Sequence, residues 1–287
     1  MTKLELDNVA VSYRQRGGRF DAVRGVSFSI NPGEIVGMVG ASGSGKSSVG
    51  HAIMGLLPAN ARVSGRILLD TEDLVGRAEA QLREIRGNRI GMVFQDPSAA
   101  LNPVFRIRTQ IVDTIRRHRK NLTRSEAKSV AADIIGEMGI EADRLGSFPH
   151  QLSGGMRQRA LIAAAMVAEP GFLVADEPTS DLDTVSQAQI LRLLRRLRDE
   201  RGIGILLVSH DMGVIASICD RVGVMRRGEL VELGTCDDVL RHPRHPYTKA
   251  LVEVGGRKRG ADGRFVTMPA EVERLEEASD LIEAVEA

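Results

Sequence analysis

Residues 40–48 read Gly-Ala-Ser-Gly-Ser-Gly-Lys-Ser-Ser, and their reading decides the fold. They fit the spacing G-x-x-x-x-G-K-[ST], with Gly40, Gly45, Lys46 and Ser47 on the fixed positions. The run Glu34 to Val39 before them is apolar enough for a buried strand, and Ser48 to Leu57 after them reads as a helix. Strand, glycine-rich turn and helix start together make a phosphate cradle. The glycines let backbone N–H groups wrap the β- and γ-phosphates, and the helix start adds partial positive charge. Lys46 reaches the terminal phosphates, and the Ser47 hydroxyl is a ligand for Mg²⁺. The expected nucleotide contacts are therefore Gly40, Ala41, Ser42, Gly43, Ser44, Gly45, Lys46, Ser47 and Ser48.

Working outward, the chain has 287 residues, room for one large domain or one domain with an insertion. A net charge of +1 argues against an extended nucleic-acid surface, which needs a basic excess. Cys219 and Cys236 have no metal-type spacing and read as thiols of a reducing compartment. The start, MTKLELDNVAVSY, lacks the apolar core of a signal peptide. No stretch approaches the ~20 apolar residues of a membrane span. The longest candidate, Ala160 to Ala168, stops at Glu169-Pro170. The expectation is a chain soluble by itself, with any membrane role carried by a partner.

Residues 4–39 alternate apolar and polar side chains, as in antiparallel strands with one buried face, and Ile67-Leu68-Leu69 continues the set. After Asp96-Pro97 the pattern becomes helical, over Thr109–Lys120 and Ser125–Met138. Thr123 and Glu126 form a capping box at the start of the second helix. From Gly171 on, strand-like runs alternate with helices, the pattern of parallel strands with crossovers. Val222–Met225 and Leu230–Leu233 flank Arg226-Arg227-Gly228 as a hairpin. Leu191, Leu194 and Leu197 are expected to face the core from a helix whose arginines are wet. The tail from about residue 255 reads as a polar linker and then an acidic amphipathic helix over 270–287.

Phe172–Ala175 is an apolar strand that runs into Asp176-Glu177. At the end of a strand beside a phosphate loop, Asp176 can hold Mg²⁺ and Glu177 can polarise the attacking water as general base. Leu152-Ser153-Gly154-Gly155-Met156-Arg157-Gln158 opens a long helix and makes a second anion-binding start. One chain has no second γ-phosphate for it, so it suits the nucleotide of another subunit. His210 follows the strand Ile205–Val208, at the carboxyl edge of the sheet where ligands bind.

With these residues in this order the chain resembles an ATP-binding cassette ATPase over roughly residues 1–250. The resemblance makes Gly40–Ser47 the phosphate loop, Leu152–Gln158 the signature and Asp176-Glu177 the Walker B end; it makes Gln95 the Q-loop glutamine, where the core joins the helical insertion and within reach of Mg²⁺ and the attacking water. Ser180-Asp181-Leu182-Asp183 matches the D-loop, Ser209-His210-Asp211 the switch histidine, and Tyr13 the ring that stacks on adenine. The family usually carries a small apolar residue where this chain has Asp181. Gln95-Asp96-Pro97-Ser98-Ala99-Ala100-Leu101-Asn102-Pro103 and His242–Leu251 resemble the ATPases of oligopeptide, dipeptide and nickel importers. Members often bear a cysteine-rich C-terminal stretch for an iron–sulfur cluster; no cysteine follows Cys236, so no cluster is expected.

The resemblance implies an α/β fold: a parallel-sheet P-loop NTPase core, an N-terminal antiparallel subdomain and a helical insertion at about 96–160. It divides the chain into a nucleotide-binding domain, 1–254, and a C-terminal linker and helix, 255–287. The expected activity is Mg²⁺-dependent ATP hydrolysis that powers uptake of peptides or a related solute, including nickel or a metal chelate. The implied partners are two permease subunits, a second ABC ATPase and an extracytoplasmic binding protein, with no nucleic acid. The implied place is the cytoplasmic face of the inner membrane. In each site Lys46, Ser47, Gln95, Asp176, Glu177 and His210 would come from one chain, and Ser153, Gly154, Gly155 and Asp183 from the other. The permease is expected to dock on 97–125, with Arg106 and Arg108 in the contact. A cassette ATPase of DNA repair or translation is the alternative. The first is disfavoured by an insertion of only about fifty residues between Gln95 and the signature, the second by the single cassette.

Overall fold

A computed structural model describes residues 3–257, so the helix expected over 270–287 lies outside the described residues. The residues divide into two compact units. One takes Ser29–Glu34 and Leu68–Leu206 with the N-terminal residues up to Leu4. The other takes Glu5–Phe28, Ile35–Ile67 and the chain from Leu207 on.

In chain order the first strands are β1 (Leu4–Gln15), β2 (Gly18–Ile30) and β3 (Ile35–Val39). Helix α1 (Lys46–Met54) is followed by β4 (Ala61–Leu69) and the short β5 (Glu72–Asp73). In β1, Leu4 and Leu6 are buried and then Val9 and Val11. Asn8, at φ 50°, lies between the two pairs, where the period of two shifts by one residue. β2 lies beside β1, and β1 beside β4, in one sheet. β4 ends antiparallel to β5, with Leu68 opposite Asp73.

Next come α2 (Glu79–Ile85), β6 (Ile90–Val93), the single turn α3 (Pro97–Ala100), α4 (Ile107–His118) and α5 (Arg124–Glu137). α6 (Gly154–Met166), β7 (Phe172–Asp176), α7 (Thr184–Arg201) and β8 (Gly204–Val208) follow. β6 and β7 are parallel, Ile90 opposite Phe172 and Val93 opposite Ala175. Every residue of both strands is buried, as expected of parallel strands covered on both faces. The α4 and α5 stripes Ile107, Ile111, Ile115 and Ala127, Ala131, Ile135 are fully buried. The Thr123 hydroxyl accepts from Glu126 N while the Glu126 carboxylate accepts from Thr123 N, which closes the capping box. On α7 the core face is Ile190, Leu193, Leu194 and Leu197. Leu191 is only half-buried, because a 3.6-residue period turns position 193 rather than 191 inward.

The chain closes with α8 (Met212–Ile218), β9 (Arg221–Arg226), β10 (Glu229–Thr235), α9 (Cys236–Arg241) and α10 (Pro246–Arg257). β3 is parallel to β9, and β9 antiparallel to β10. Arg227 and Gly228, at φ 48° and 87°, make the tight turn between them. Asp220 accepts from Ile35 N at 2.8 Å and fixes the start of β3. Among the described residues no helix is long and apolar enough to cross a membrane.

Candidate nucleotide site

The phosphate loop follows β3, whose five residues are all buried and so hold its origin rigid. Gly40, at φ 159°, lies so close to β9 that a Cβ would collide with the Met225 carbonyl oxygen. Gly45 caps α1 at φ 102°, and a Cβ there would collide with the Ala22 carbonyl. Both positions need glycine, which is why the spacing is legible in the sequence. Lys46 is buried, and its ammonium donates to Gly40 O at 2.8 Å, Ala41 O at 2.7 Å and Ser44 Oγ at 3.4 Å. A buried ammonium ringed by loop oxygens at a helix start is the geometry of an anion cradle. Ser47 and Ser48 lie in the first turn of α1, and the Tyr13 hydroxyl is 3.0 Å from Ser48 Oγ. His210 is half-buried just past β8, in a segment held beside β3 by Ser209 N donating to Met38 O at 3.0 Å.

The other unit holds the carboxylates. Asp176 is the last residue of β7 and is buried. Glu177 follows at φ 46°, a left-handed conformation that is costly for a residue with a Cβ. The Ser180 hydroxyl and amide both donate to the Glu177 carbonyl, at 2.9 and 3.2 Å, and hold that turn. Gln95 Nε2 donates to Glu177 Oε2 at 3.3 Å, so two candidate residues 82 positions apart meet. Asp181 is also left-handed, at φ 59°. The signature segment starts α6: Ser153 caps it, its hydroxyl accepting from Met156 N at 3.3 Å. Arg157 donates to Ser98 Oγ at 2.8 Å, which joins α6 to the turn after Gln95. Asp183 caps α7, and the Ser186 hydroxyl, then the backbone N–H groups, hold its carboxyl below the usual range. A Cβ on Gly155 would meet Ser186, and one on Gly154 would meet Leu182, so the signature start lies against the D-loop of its own chain.

Ser47 in one unit offers a hydroxyl and Asp176 in the other a carboxylate, each an oxygen donor of the kind Mg²⁺ takes. His245 Nδ1 accepts from Tyr247 N at 3.1 Å, and no cluster of three or more His, Cys, Asp or Glu suited to a metal occurs among the described residues.

Arg106 donates to Gly146 O and stacks on Phe148 at 4.8 Å within its own chain. In the basic run 116–120, His118 and Arg119 have partners within the chain. His118 bonds Asn88 Oδ1 at 2.9 Å, and burial, then the Arg117 charge, lowers its pKa. Arg119 pairs with Glu169 at 2.7 Å. Sequence reasoning also missed Tyr247, whose hydroxyl touches the phosphate loop; the His-Pro-Tyr motif was the only signal for it.

The family described as "ABC transporter" matches residues 23–180, and "Oligopeptide/dipeptide transporter, C-terminal region" matches 231–280. The chain is 43% identical over 253 residues to the oligopeptide transport ATP-binding protein OppD of Bacillus subtilis (strain 168), covering 87% of this chain and 70% of that protein. It is 44% identical to the dipeptide transport ATP-binding protein DppD of the same organism, at 87% and 75% coverage. A solved dimeric post-hydrolysis state of the ATP-binding cassette MJ0796, bound to ADP and Pi, is 29% identical with a TM-score of 0.73. That match covers 81% of this chain and 98% of that one. On its phosphate loop, its carboxylate strand end and these matches, the chain belongs to the ABC transporter family, as an ATP-hydrolysing subunit.

Proposed function

We propose that this chain powers the import of peptides or a related small solute, by hydrolysing MgATP against permease subunits. The contact between Gln95 and Glu177 carries the reading: it joins a candidate general base to the residue that opens the helical insertion. In this reading Gly40–Ser48 and Lys46 bind the phosphates, and Tyr13 stacks on adenine. Ser47, Asp176 and Gln95 would hold Mg²⁺, whose charge would offset that of the phosphates. Glu177 takes the proton of the attacking water, and His210 bonds the γ-phosphate. Ser153, Gly154, Gly155 and Asp183 face the nucleotide of a second ATPase chain.

The nucleotide-binding domain then spans 1–254, with its helical subdomain at about 96–160, and 255–287 is a C-terminal appendage. Two permeases and an extracytoplasmic binding protein complete the transporter, with this chain on the cytoplasmic face of the membrane. With no cysteine after Cys236, the reading includes no iron–sulfur cluster. A docking surface is supported by Phe94, which directly precedes Gln95, and by Val104 and Phe105 before α4; they are 39%, 71% and 51% exposed. Exposed apolar side chains concentrated in one short segment mark a contact surface. The test is peptide uptake and phosphate release in proteoliposomes that hold the assembled transporter. Lys46→Ala should abolish both; retention of either within about twofold would overturn the reading.

A further inference from the structure

The peptide unit between Gly40 and Ala41 is gripped at both ends. Its carbonyl accepts from the Lys46 ammonium at 2.8 Å, and its N–H donates to the Tyr247 hydroxyl at 3.1 Å. A peptide unit is planar, so fixing the N–H fixes the direction of the carbonyl that seats Lys46. Tyr247 comes from α10, 206 residues further along the chain, and is 7% exposed. It is itself well held. The Arg226 guanidinium lies 5.4 Å from its ring centroid, and its own N–H donates to His245 Nδ1. The N–H groups of Arg244 and His245 donate to the Glu232 carboxylate at 2.8 and 3.0 Å, which pins the start of α10 to β10. The turn after β9 supports the same loop, with Gly228 N donating to Ser44 O at 3.0 Å.

We propose that Tyr247 is a positioning residue of the phosphate loop, whose hydroxyl sets the Gly40–Ala41 peptide and through it the Lys46 ammonium for phosphate binding. The inference rests on the nucleotide-site reading above. A loop that binds anions through backbone N–H groups gains affinity from being shaped in advance, and the ordering cost falls on binding when it is not. α10 lies in the part of the chain matched by the oligopeptide/dipeptide C-terminal region. The contact therefore gives that region a direct hold on the nucleotide site.

The test is Tyr247→Phe in the full-length chain, which keeps the ring over Arg226 and removes only the hydroxyl. Loss of the acceptor for a buried N–H should weaken MgADP binding, measured by calorimetry, by about 3- to 30-fold. KM for ATP should rise by a similar factor with kcat within about twofold, because the bound loop reaches the same shape. Without nucleotide, amide exchange should quicken in the peptide that carries the phosphate loop and stay unchanged elsewhere. An unchanged affinity and loop exchange would overturn the proposal, as would faster exchange spread evenly over the chain. Lys46→Ala separates the two readings. If it too binds MgADP normally, the nucleotide site is misassigned; if it fails to bind while Tyr247→Phe is silent, only the role of Tyr247 falls.

Discussion

Replacing Glu177 by Gln changes one atom of the side chain and removes its basicity. The neighbourhood should tolerate it: Gln95 donates to Glu177 Oε2, and the amide oxygen of a glutamine accepts the same bond. The turn is held by Ser180 on the Glu177 carbonyl, which the substitution leaves alone. The left-handed backbone at φ 46° is equally costly for either residue. Folding stability should therefore change by no more than about 0.5 kcal/mol. Loss of a general base lowers turnover by roughly 10²–10⁴-fold, which corresponds to about 2.7–5.5 kcal/mol of barrier. Steady-state phosphate release, nucleotide affinity and thermal unfolding on the same preparation separate these terms. With hydrolysis blocked and binding kept, a two-chain ATP complex should accumulate and be seen by size-exclusion chromatography. Phosphate release within a few-fold of the parent, with unfolding unchanged, would remove Glu177 from the role of base.

Two further outcomes concern the unit that holds the carboxylates. Val104→Asp or Phe105→Asp should lower peptide uptake in the assembled transporter while basal ATPase stays near normal, since both side chains are exposed; Arg106→Glu is the wrong probe, because it would break the contacts with Gly146 and Phe148. Thr123→Ala removes the hydroxyl half of the α5 capping box and should cost about 1 kcal/mol, seen as a lower midpoint in thermal unfolding with ATPase at 25 °C unaffected.

The phosphate loop was legible because Gly40 and Gly45 stand where any Cβ would strike a backbone carbonyl, so backbone geometry dictates their spacing. The β9–β10 hairpin was legible for a similar reason, since its turn places two residues at positive φ. β6 was not. Its four residues are all buried, so it has no alternation, and it merges with the segment around Gln95. α2 was missed because only Ile85 of its seven residues is buried, too few to give a stripe. Tyr247 illustrates the limit of local patterns. Its motif stood out, but the motif's contact is with a residue 206 positions away, and no periodicity encodes that pairing. The meeting of Gln95 and Glu177 is long-range in the same sense; there the family resemblance supplied what spacing lacked.

The most direct test of the central claim, that each ATP site is shared between two chains, is ATPase activity on mixing Lys46→Ala with Gly154→Asp. Gly154 opens α6, and the nearest atom to a new Cβ is the end of the Leu182 side chain at 3.1 Å, so an aspartate fits with little strain. A carboxylate in the first helical turn also favours the helix while repelling a phosphate opposite it. Each variant alone should be nearly inactive. A mixed pair keeps one complete site, from the intact phosphate loop of the Gly154→Asp chain and the intact signature of the Lys46→Ala chain. Mixing should therefore restore part of the activity, within the assembled transporter if this chain pairs with a homologue. Full activity of Gly154→Asp as an isolated chain would contradict the shared site.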